Sequence, residues 1–407
     1  MNHIPDITAK SILKRYSTII ISLIIFLGAC LRFYQIDRAL GGGDENHMLL
    51  YFGYTHLQYI ATIYFDTSNH IFHTMMVNLM SRWFGEENAI AIRLPTLLFG
   101  IAGLWMIYKL ALEIFISRKI ALIALLISAV NPIHIYYSQT ARGYSLIMFF
   151  STAIVYSSVK ILKPNPSQWH VVSLILCSFL SIYTLPTNIF FMLALAAWLA
   201  FVIFTPQIFK NFRVTIKDKK KKILWFTSSA MAIVMLSFYS YLPLFDQIVE
   251  TARNHSLLTF DIQSASVLNL LPGIIDKIFE GPLKYFFPFL LVGLIYGKVR
   301  CKSYRYLPIF ILFIPLIIAA FSGAGGFPRN HLFNFPFFTI FLAAGLSVTG
   351  ERIEKWFNSN ERRIVIMVLP AAVYSLTALY VVFFDHYPST KTSDGNLYKE
   401  KILQNNK

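Results

Sequence analysis

The chain is poor in charged residues and in cysteine. Asp, Glu, Lys and Arg make up only 14% of its 407 residues, whereas soluble domains average about 25%. A water-soluble globular domain is therefore excluded as the main architecture. The three cysteines, Cys30, Cys177 and Cys301, stand far apart and form no CxxC pair, so neither a disulfide framework nor a cysteine zinc site is predicted.

Acidic residues are scarce as well, with 20 Asp and Glu against 36 Lys and Arg and a formal net charge of +16. A strongly basic chain can indicate nucleic-acid binding. Here, however, the basic residues form short runs between apolar segments, the densest of them at 217–222. This distribution is typical of the positive-inside rule of membrane proteins, and no nucleic-acid partner is predicted.

Apolar sequence is abundant: 56% of the residues are hydrophobic, with 37 Phe and 22 Tyr, and the mean hydropathy is +0.57. Apolar windows of about 17–25 residues predict about eleven transmembrane helices, within a range of about 10–13. The predicted fold class is therefore an all-α polytopic membrane protein. The predicted spans are Tyr16–Leu31, Leu94–Ile116, Ile120–Tyr136, Tyr144–Leu162, Trp169–Leu185, Asn188–Phe209, Ile223–Phe245, Leu283–Gly297, Tyr306–Phe321, His331–Val348 and Ile364–Phe384.

The distribution of Lys and Arg predicts the orientation of these spans. With a cytoplasmic N-terminus, the inside loops hold the larger share of basic residues, and we expect a multi-pass protein of the cytoplasmic membrane. One membrane domain over 1–384 and a short polar extracytoplasmic tail over 385–407 are predicted. Four further segments then lie outside: Phe33–Arg93, Asn131–Arg142, Asp246–Pro282 and Gly323–Asn330.

The first external segment contains three glycines followed by two adjacent carboxylates, Asp44 and Glu45. Carboxylates at a membrane boundary are costly unless they stay hydrated or serve a function. We interpret Asp44 as a catalytic base; a solvated loop with ordinary charges is the alternative. Two amphipathic surface helices are predicted after it, Glu45–Tyr64 and Asn69–Phe84, with a third candidate at Leu268–Phe279.

Three arginines stand where external segments meet apolar spans: Arg93, Arg142 and Arg329. The positive-inside rule does not call for arginine on this side. Their planar guanidinium groups suit a phosphate or carboxylate in a partly dry site, although each side chain alone is equally explained by snorkelling to lipid headgroups. Their convergence on the side that holds Asp44 favours an anion site.

Histidines cluster in the first external segment, and His70 and His73 share a helix face at i, i+3. Together with an acid they offer a possible metal site. No HExxH or equivalent spacing is present, so hydrogen-bonded interfacial histidines are the better interpretation. No metal and no cofactor are predicted.

Four motifs occur in order along the chain. They are Leu31-Arg32 with Gly43-Asp44-Glu45; Phe84-Gly85 with Ile92-Arg93-Leu94-Pro95 and Phe99-Gly100; the string from Ile133 to Leu146 that contains Tyr137-Ser138-Gln139-Thr140-Ala141-Arg142-Gly143-Tyr144; and Arg329-Asn330-His331-Leu332-Phe333-Asn334-Phe335-Pro336. Together they resemble the GT-C class of polytopic glycosyltransferases. The specific resemblance is to the polyprenyl-phosphate-sugar-dependent family that includes protein O-mannosyltransferases and the aminoarabinose transferase of lipid A.

The resemblance implies an enzyme that moves a sugar, with inversion, from a polyprenyl-phosphate carrier to an acceptor hydroxyl outside the membrane. Asp44 matches the family's base, and Glu45 is expected to position the acceptor or a helix end. Arg142 and Arg329 are expected to bind the donor phosphate. Arg93 either joins them or braces an acid, one of Glu86, Glu87 and Asp44.

The walls of the predicted pocket are Tyr137, Gln139 and Tyr144, with His70 and His73 where the family often has His-Pro-Pro. The predicted pocket is therefore expected to differ from the family's at this wall. The expected partners are a polyprenyl-phosphate-linked sugar, a lipid-linked glycan or membrane-embedded acceptor, and the bilayer. A flippase or exporter of lipid-linked sugars, a non-catalytic binder of them, and an oligosaccharide ligase or polymerase remain alternatives.

Overall fold

The structure is a computed structural model that describes residues 9–40, 43–205, 216–251, 267–322, 327–357 and 363–387. Within these ranges the regular elements are all helical. The α-helices are α1 (Ala9–Phe33), α2 (Asp44–Met48), α3 (Leu57–Thr62), α4 (Ile71–Phe84), α5 (Ala89–Phe115), α6 (Arg118–Val130), α7 (Pro132–Ser138), α8 (Tyr144–Leu162), α9 (Gln168–Thr184), α10 (Ile189–Phe204), α11 (Ile216–Tyr241), α12 (Val267–Ile278), α13 (Phe287–Tyr296), α14 (Leu307–Ser322), α15 (Phe335–Phe357) and α16 (Arg363–Val381). The all-α polytopic fold class is confirmed.

A helix lies at every span that the sequence predicts. In the described residues, seven helices are long and apolar enough to cross a membrane, or up to nine if each bent pair is one span. Two shorter apolar helices, Ser17–Phe33 and Gln168–Thr184, coincide with the first and fifth predicted spans. The count of about eleven is therefore not established, because length and composition alone do not qualify these shorter helices as spans.

The helices differ in how far the rest of the bundle encloses them. Tyr144–Leu162 and Pro328–Trp356 have 83% and 89% of their apolar windows buried within the protein, whereas Lys219–Thr251 has 11%. The first two form the centre of the bundle, beside α5. The third presents large side chains such as Met235, Phe238 and Tyr239 outward, which is the surface expected of a helix facing lipid.

The segment between α1 and α5 forms a compact layer at one end of the bundle. The single helix predicted over Glu45–Tyr64 is instead α2, a π-helical turn at Leu49–Gly53 and α3. Asn78 explains part of this interruption, because its side-chain amide donates to the carbonyls of Gly53 (2.9 Å) and Thr55 (2.6 Å) where the turn ends. The predictions of Asn69–Phe84 and Leu268–Phe279 agree closely with α4 and α12.

The third predicted span is broken at Asn131–Pro132, where α6 and α7 meet at 60°. Proline has no N–H to continue the α6 ladder, and the Asn131 side chain instead accepts from the His134 N–H at 3.2 Å and caps α7. The same Asn131 side chain donates to the Tyr374 hydroxyl at 3.1 Å. The break points α7 and the chain after it toward the layer formed by the first segment.

Arg32, at the end of α1, is fully buried beside this break. Its guanidinium donates to the carbonyls of Gly28 (2.7 Å), Ala129 (2.9 Å) and Ser128 (3.1 Å), and to Ser138 Oγ at 3.2 Å. A buried cation within a membrane span is costly unless its donors are satisfied. These carbonyls offset the cost, and in return Arg32 joins α1 to both sides of the break.

Helix α13 has only ten residues and follows a 106° bend after α12. It approaches α15 at Gly293 and Gly345, where an added Cβ would lie 1.8 Å from Phe341 O and 1.7 Å from Phe289 O respectively. Only glycine permits this backbone separation, and such small-residue contacts are a recurrent way of packing membrane helices.

The predicted tail over 385–407 lies almost wholly outside the described residues, as do Gly41 and Gly42 and parts of Asp246–Pro282 and Gly323–Asn330. The division into a domain over 1–384 and a tail therefore stays a prediction.

Candidate active site

A cavity of about 600 Å³ opens at the end of the bundle formed by the first segment. Four parts of the chain line it: the end of the α1–α2 connection, the α7–α8 corner, α12, and the residues before α15. The lining residues are Arg38, Gly43, Asp44, Glu45, Tyr136, Tyr137, Thr140, Arg142, Tyr144, Lys277, Phe327, Pro328 and Arg329. Cations and tyrosines thus surround a pair of carboxylates.

Asp44 is the first residue of α2 and faces two arginines. Its Oδ2 lies 3.3 Å from Arg329 Nη2 and 3.6 Å from Arg142 Nη2. The Asp44 side chain is 44% exposed and Arg329 37%, while Arg142 is only 5% exposed. We call these three residues the open cluster. Gly43, immediately before Asp44, has φ +49°, a backbone conformation that glycine adopts at little cost.

Glu45 has a different partner. Arg93 binds it with two parallel hydrogen bonds, Nε to Oε1 at 3.0 Å and Nη2 to Oε2 at 2.7 Å, and the Ala141 N–H donates to Oε1 at 2.7 Å. The Arg93 and Glu45 side chains are 0% and 5% exposed. We call Glu45 and Arg93 the closed pair. Burial alone would raise the pKa of Glu45, but the Arg93 charge and these hydrogen bonds outweigh it and lower the pKa.

The closed pair corrects the expectation that Arg93 binds donor phosphate. Its remaining donors are taken by the carbonyls of Ile36 (2.8 Å), Arg38 (2.7 Å) and Ala39 (3.2 Å). Arg93 is not among the residues that line the cavity, and its side chain is 0% exposed. Arg93 braces an acid, as the alternative interpretation predicted. That acid is Glu45, however, and not Glu86, Glu87 or Asp44.

Arg142 is held in place by the first segment. Its Nη1 donates to the carbonyls of Ser68 (2.8 Å) and Asp44 (3.2 Å), and its Nη2 lies 3.4 Å from His70 Nε2. His70 in turn accepts from the Gly143 N–H through Nδ1 at 2.9 Å. Burial, and then the Arg142 charge, hold the pKa of His70 well below its ordinary value. Because Nδ1 accepts from Gly143, a neutral ring carries its proton on Nε2, so His70 packs against Arg142 without accepting a hydrogen bond from it.

His73 is fully buried one turn further along α4. Neither ring nitrogen has a hydrogen-bond partner within the described ranges, and burial with the nearby Arg142 charge lowers its pKa to about 3. His70 and His73 thus form packing behind the cavity rather than its wall. In the described part of the chain no three His, Cys, Asp or Glu residues group in a way that could hold a metal; independence from metal stays a prediction.

Tyr137 and Tyr144 do line the cavity, with their rings in an edge-to-face contact at 4.8 Å. Gln139 does not, because it is fully buried and donates to the carbonyls of Arg32 (2.9 Å) and Tyr34 (2.7 Å) at the end of α1. Gln139 therefore fixes the α7–α8 corner to α1, and its expected place in the wall is corrected.

Sequence reasoning missed Arg38 and Lys277, which both line the cavity. Arg38 follows the first span on the side where basic residues are sparse, which is the same signal that singled out the other arginines. Lys277 is a lone cation on the amphipathic helix α12. Neither residue lies in one of the four motifs. Their place in the cavity wall results from the packing of α12 and the α1–α2 connection around the cavity.

Part of the sequence and the whole fold are similar to those of known proteins. Residues 70–241 match the family model described as dolichyl-phosphate-mannose-protein mannosyltransferase. The apo structure of ArnT from Cupriavidus metallidurans has a TM-score of 0.60 at 15% identity, over 94% of this chain and 75% of that one. The chain has the GT-C fold. A comparison with curated protein sequences gave no match.

Two further structures share the GT-C fold. ArnT from Cupriavidus metallidurans bound to undecaprenyl phosphate has a TM-score of 0.56 at 14% identity, over 93% of this chain and 75% of that one. The archaeal oligosaccharyltransferase AglB from Archaeoglobus fulgidus, in complex with an inhibitory peptide and a dolichol-phosphate, has a TM-score of 0.58 at 13% identity, over 94% of this chain. This chain spans only 57% of the length of AglB. At these identities the likeness is one of fold, and it confirms the resemblance to GT-C membrane proteins.

Proposed function

We propose that this protein is an inverting glycosyltransferase that moves a sugar from a polyprenyl-phosphate carrier to an acceptor hydroxyl, with Asp44 as the general base. The reaction takes place on the extracytoplasmic side of the cytoplasmic membrane, and the N-terminus is cytoplasmic. Its acceptor is a lipid-linked glycan or another membrane-embedded molecule that arrives laterally through the bilayer.

The open cluster is the observation that carries the proposal. Asp44, Arg142 and Arg329 come from three distant parts of the chain, yet all three line the cavity. The Nη2 atoms of both arginines lie within 3.6 Å of Asp44 Oδ2. A reaction that releases a lipid phosphate needs a base and a site for the developing charge. The lipid phosphates named in the ArnT and AglB structures, and the family match, support the same substrate class.

The chemistry follows from this arrangement. The acceptor oxygen attacks the anomeric carbon of the sugar from the face opposite the phosphate, and Asp44 takes the hydroxyl proton. The bond between the anomeric carbon and the phosphate oxygen breaks, and the electron pair leaves with the phosphate. Arg142 and Arg329 stabilise that growing negative charge, because charge-assisted hydrogen bonds strengthen as the acceptor oxygen gains charge.

Binding of the carrier also frees the base. Without a ligand, the Asp44 carboxylate is paired with both arginines. A carrier phosphate competes for the same guanidinium groups and replaces the carboxylate as their partner. Asp44 then faces the acceptor hydroxyl, so carrier binding precedes activation of the acceptor.

The test replaces Asp44 with Asn, which keeps size and hydrogen bonding but loses basicity. We expect sugar transfer to fall about 10²–10⁴-fold, the usual contribution of a general base, while binding of undecaprenyl phosphate survives. Asp37→Asn is the matched control, since Asp37 is exposed on the same segment and does not line the cavity. Transfer is measured with purified protein and lipid extracts of its host, with products identified by mass spectrometry.

The same variant separates the proposed enzyme from a flippase or a non-catalytic binder. Neither of those needs a base, so an Asp44→Asn protein that retained its full effect on lipid-linked sugars would exclude the glycosyltransferase. A parent protein that bound neither undecaprenyl phosphate nor dolichol-phosphate would exclude the substrate class.

A further inference from the structure

Arg38 and Lys277 line the cavity without a carboxylate partner in the described residues. Arg38 Nη2 donates to the Gln139 carbonyl at 2.9 Å, but its Nη1 has no hydrogen-bond partner in those ranges. Lys277 Nζ lies 5.9 Å from the ring centroids of both Tyr136 and Tyr137. The Arg38 charge also acts on Tyr136, so Tyr136 interacts with both cations.

The charges of the cavity do not balance when a carrier alone is bound. Arg93 neutralises Glu45 within the closed pair, and the open cluster holds two arginines and one carboxylate, a net charge of +1. The phosphodiester of a polyprenyl-phosphate sugar carries one negative charge, which brings the net charge of the open cluster with its carrier to zero. Arg38 and Lys277 then remain as two uncompensated cations on a partly dry wall.

Leaving these cations uncompensated has a physical cost. Burial, and then the like charge of Arg93, lower the pKa of Arg38 to about 10. A charge removed from water is stabilised only by a partner of opposite sign with its hydrogen bonds made.

We infer that the cavity binds a second anionic group at Arg38 and Lys277, distinct from the carrier phosphate and carried by the acceptor or by the transferred sugar. The identity of the first anion rests on the proposed function; the existence of a second anion position does not. The group is a phosphate or a carboxylate, because these are the anions that guanidinium and ammonium groups bind in proteins. The Tyr136 and Tyr137 rings beneath Lys277 add a cation–π contact that keeps its ammonium over the wall.

The experiment counts bound anions on the full-length protein in detergent. Inorganic phosphate, titrated calorimetrically without any carrier, should bind at two positions, and saturating undecaprenyl phosphate should displace only one. Arg38→Gln and Lys277→Gln should each weaken the remaining position about tenfold, as expected for loss of one charge-assisted hydrogen bond. Both variants should weaken phosphate at this position more than they weaken undecaprenyl phosphate.

Lys284→Gln is the matched control, because Lys284 is exposed near α13 and does not line the cavity. It should leave both positions unchanged. With the carrier bound, glucuronate and glycerol 3-phosphate identify the source of the group: preference for the first indicates an acidic sugar, and preference for the second an acceptor with a phosphate headgroup. Either result supports the inference.

Three results would overturn it. The parent protein binds a single phosphate without carrier, or the Arg38 and Lys277 variants weaken undecaprenyl phosphate as much as phosphate, or neither glucuronate nor glycerol 3-phosphate binds beside the carrier. A different result bears on the proposed function alone: two phosphates bind, but undecaprenyl phosphate displaces neither. The two failures are therefore distinguishable in one set of titrations.

Discussion

Asp44 and Glu45 are adjacent in the chain, and their carboxylates have opposite surroundings. In the closed pair, Glu45 is 5% exposed and receives two parallel hydrogen bonds from Arg93 and a third from the Ala141 N–H. In the open cluster, Asp44 is 44% exposed and meets two arginines at 3.3 and 3.6 Å. A carboxylate with every oxygen engaged supports a fold, whereas one that is loosely shared is available to a substrate. Three predictions test this difference, from the largest effect on stability to the smallest.

Arg93→Met should destabilise the protein most. It leaves Glu45 buried without its cation, and removing one partner of a buried ion pair typically costs about 3–5 kcal/mol. The free energy of unfolding in mixed micelles measures the effect. Adding Glu45→Gln to Arg93→Met should recover part of the loss, because the uncompensated charge is removed. A double variant no more stable than Arg93→Met would show that Arg93 acts through the three carbonyls alone.

Glu45 should also make stability depend on pH. Its pKa is lowered in the folded protein below the ordinary value of 4.5, so its contribution is complete above about pH 4.5 and is lost as the pH falls through the folded pKa. The difference in unfolding free energy between the parent protein and Glu45→Gln should therefore shrink in acid. Burial and the Arg142 charge lower the pKa of His73 in both proteins, and only the smaller opposing effect of Glu45 on it is absent from the variant. Parallel stability curves from pH 7 to pH 3 would contradict the assignment.

Arg329→Met should change stability least. Its partner Asp44 is half exposed, and such pairs contribute about 0–1 kcal/mol. Binding should respond instead: the affinity for undecaprenyl phosphate, measured by calorimetry, should fall because the carrier phosphate loses one guanidinium. Comparison with Arg93→Met sharpens the contrast, since the same substitution is expected to affect folding at one position and binding at the other. Unchanged affinity would move the phosphate away from Arg329.

The sequence was sufficient for the positions of the apolar helices, though not for the number of spans, and for the two arginines that converge on Asp44. Apolar windows report directly on membrane helices because the bilayer leaves few alternatives, and arginines on the sparsely charged side pointed to Arg142 and Arg329. The sequence did not show which arginines pair with Asp44 and which one pairs with Glu45. Which carboxylate Arg93 meets depends on how α2 packs against the start of α5, and adjacent residues on a helix face different directions.

The same limit explains Gln139 and Arg38. Both lie near the cavity along the chain, but the α7–α8 corner turns Gln139 toward α1, where it binds the carbonyls of Arg32 and Tyr34, and leaves Arg38 on the wall. A motif identifies which residues gather in a region. The direction of each side chain follows from tertiary packing that no local pattern encodes.

The glycine contact between α13 and α15 has a consequence for the order in which the protein is made. With the 3-10 helix Gly281–Phe286 before it, α13 forms one half of a span bent by 106°, and its backbone meets Gly345 of α15 with no room for a Cβ. Gly345 is translated after Gly293, and at about 5–20 residues per second the wait is about 3–10 s. During that interval the contact between Gly293 and Gly345 cannot form. The close packing of α13 against α15 is therefore completed only after α15 has been synthesised.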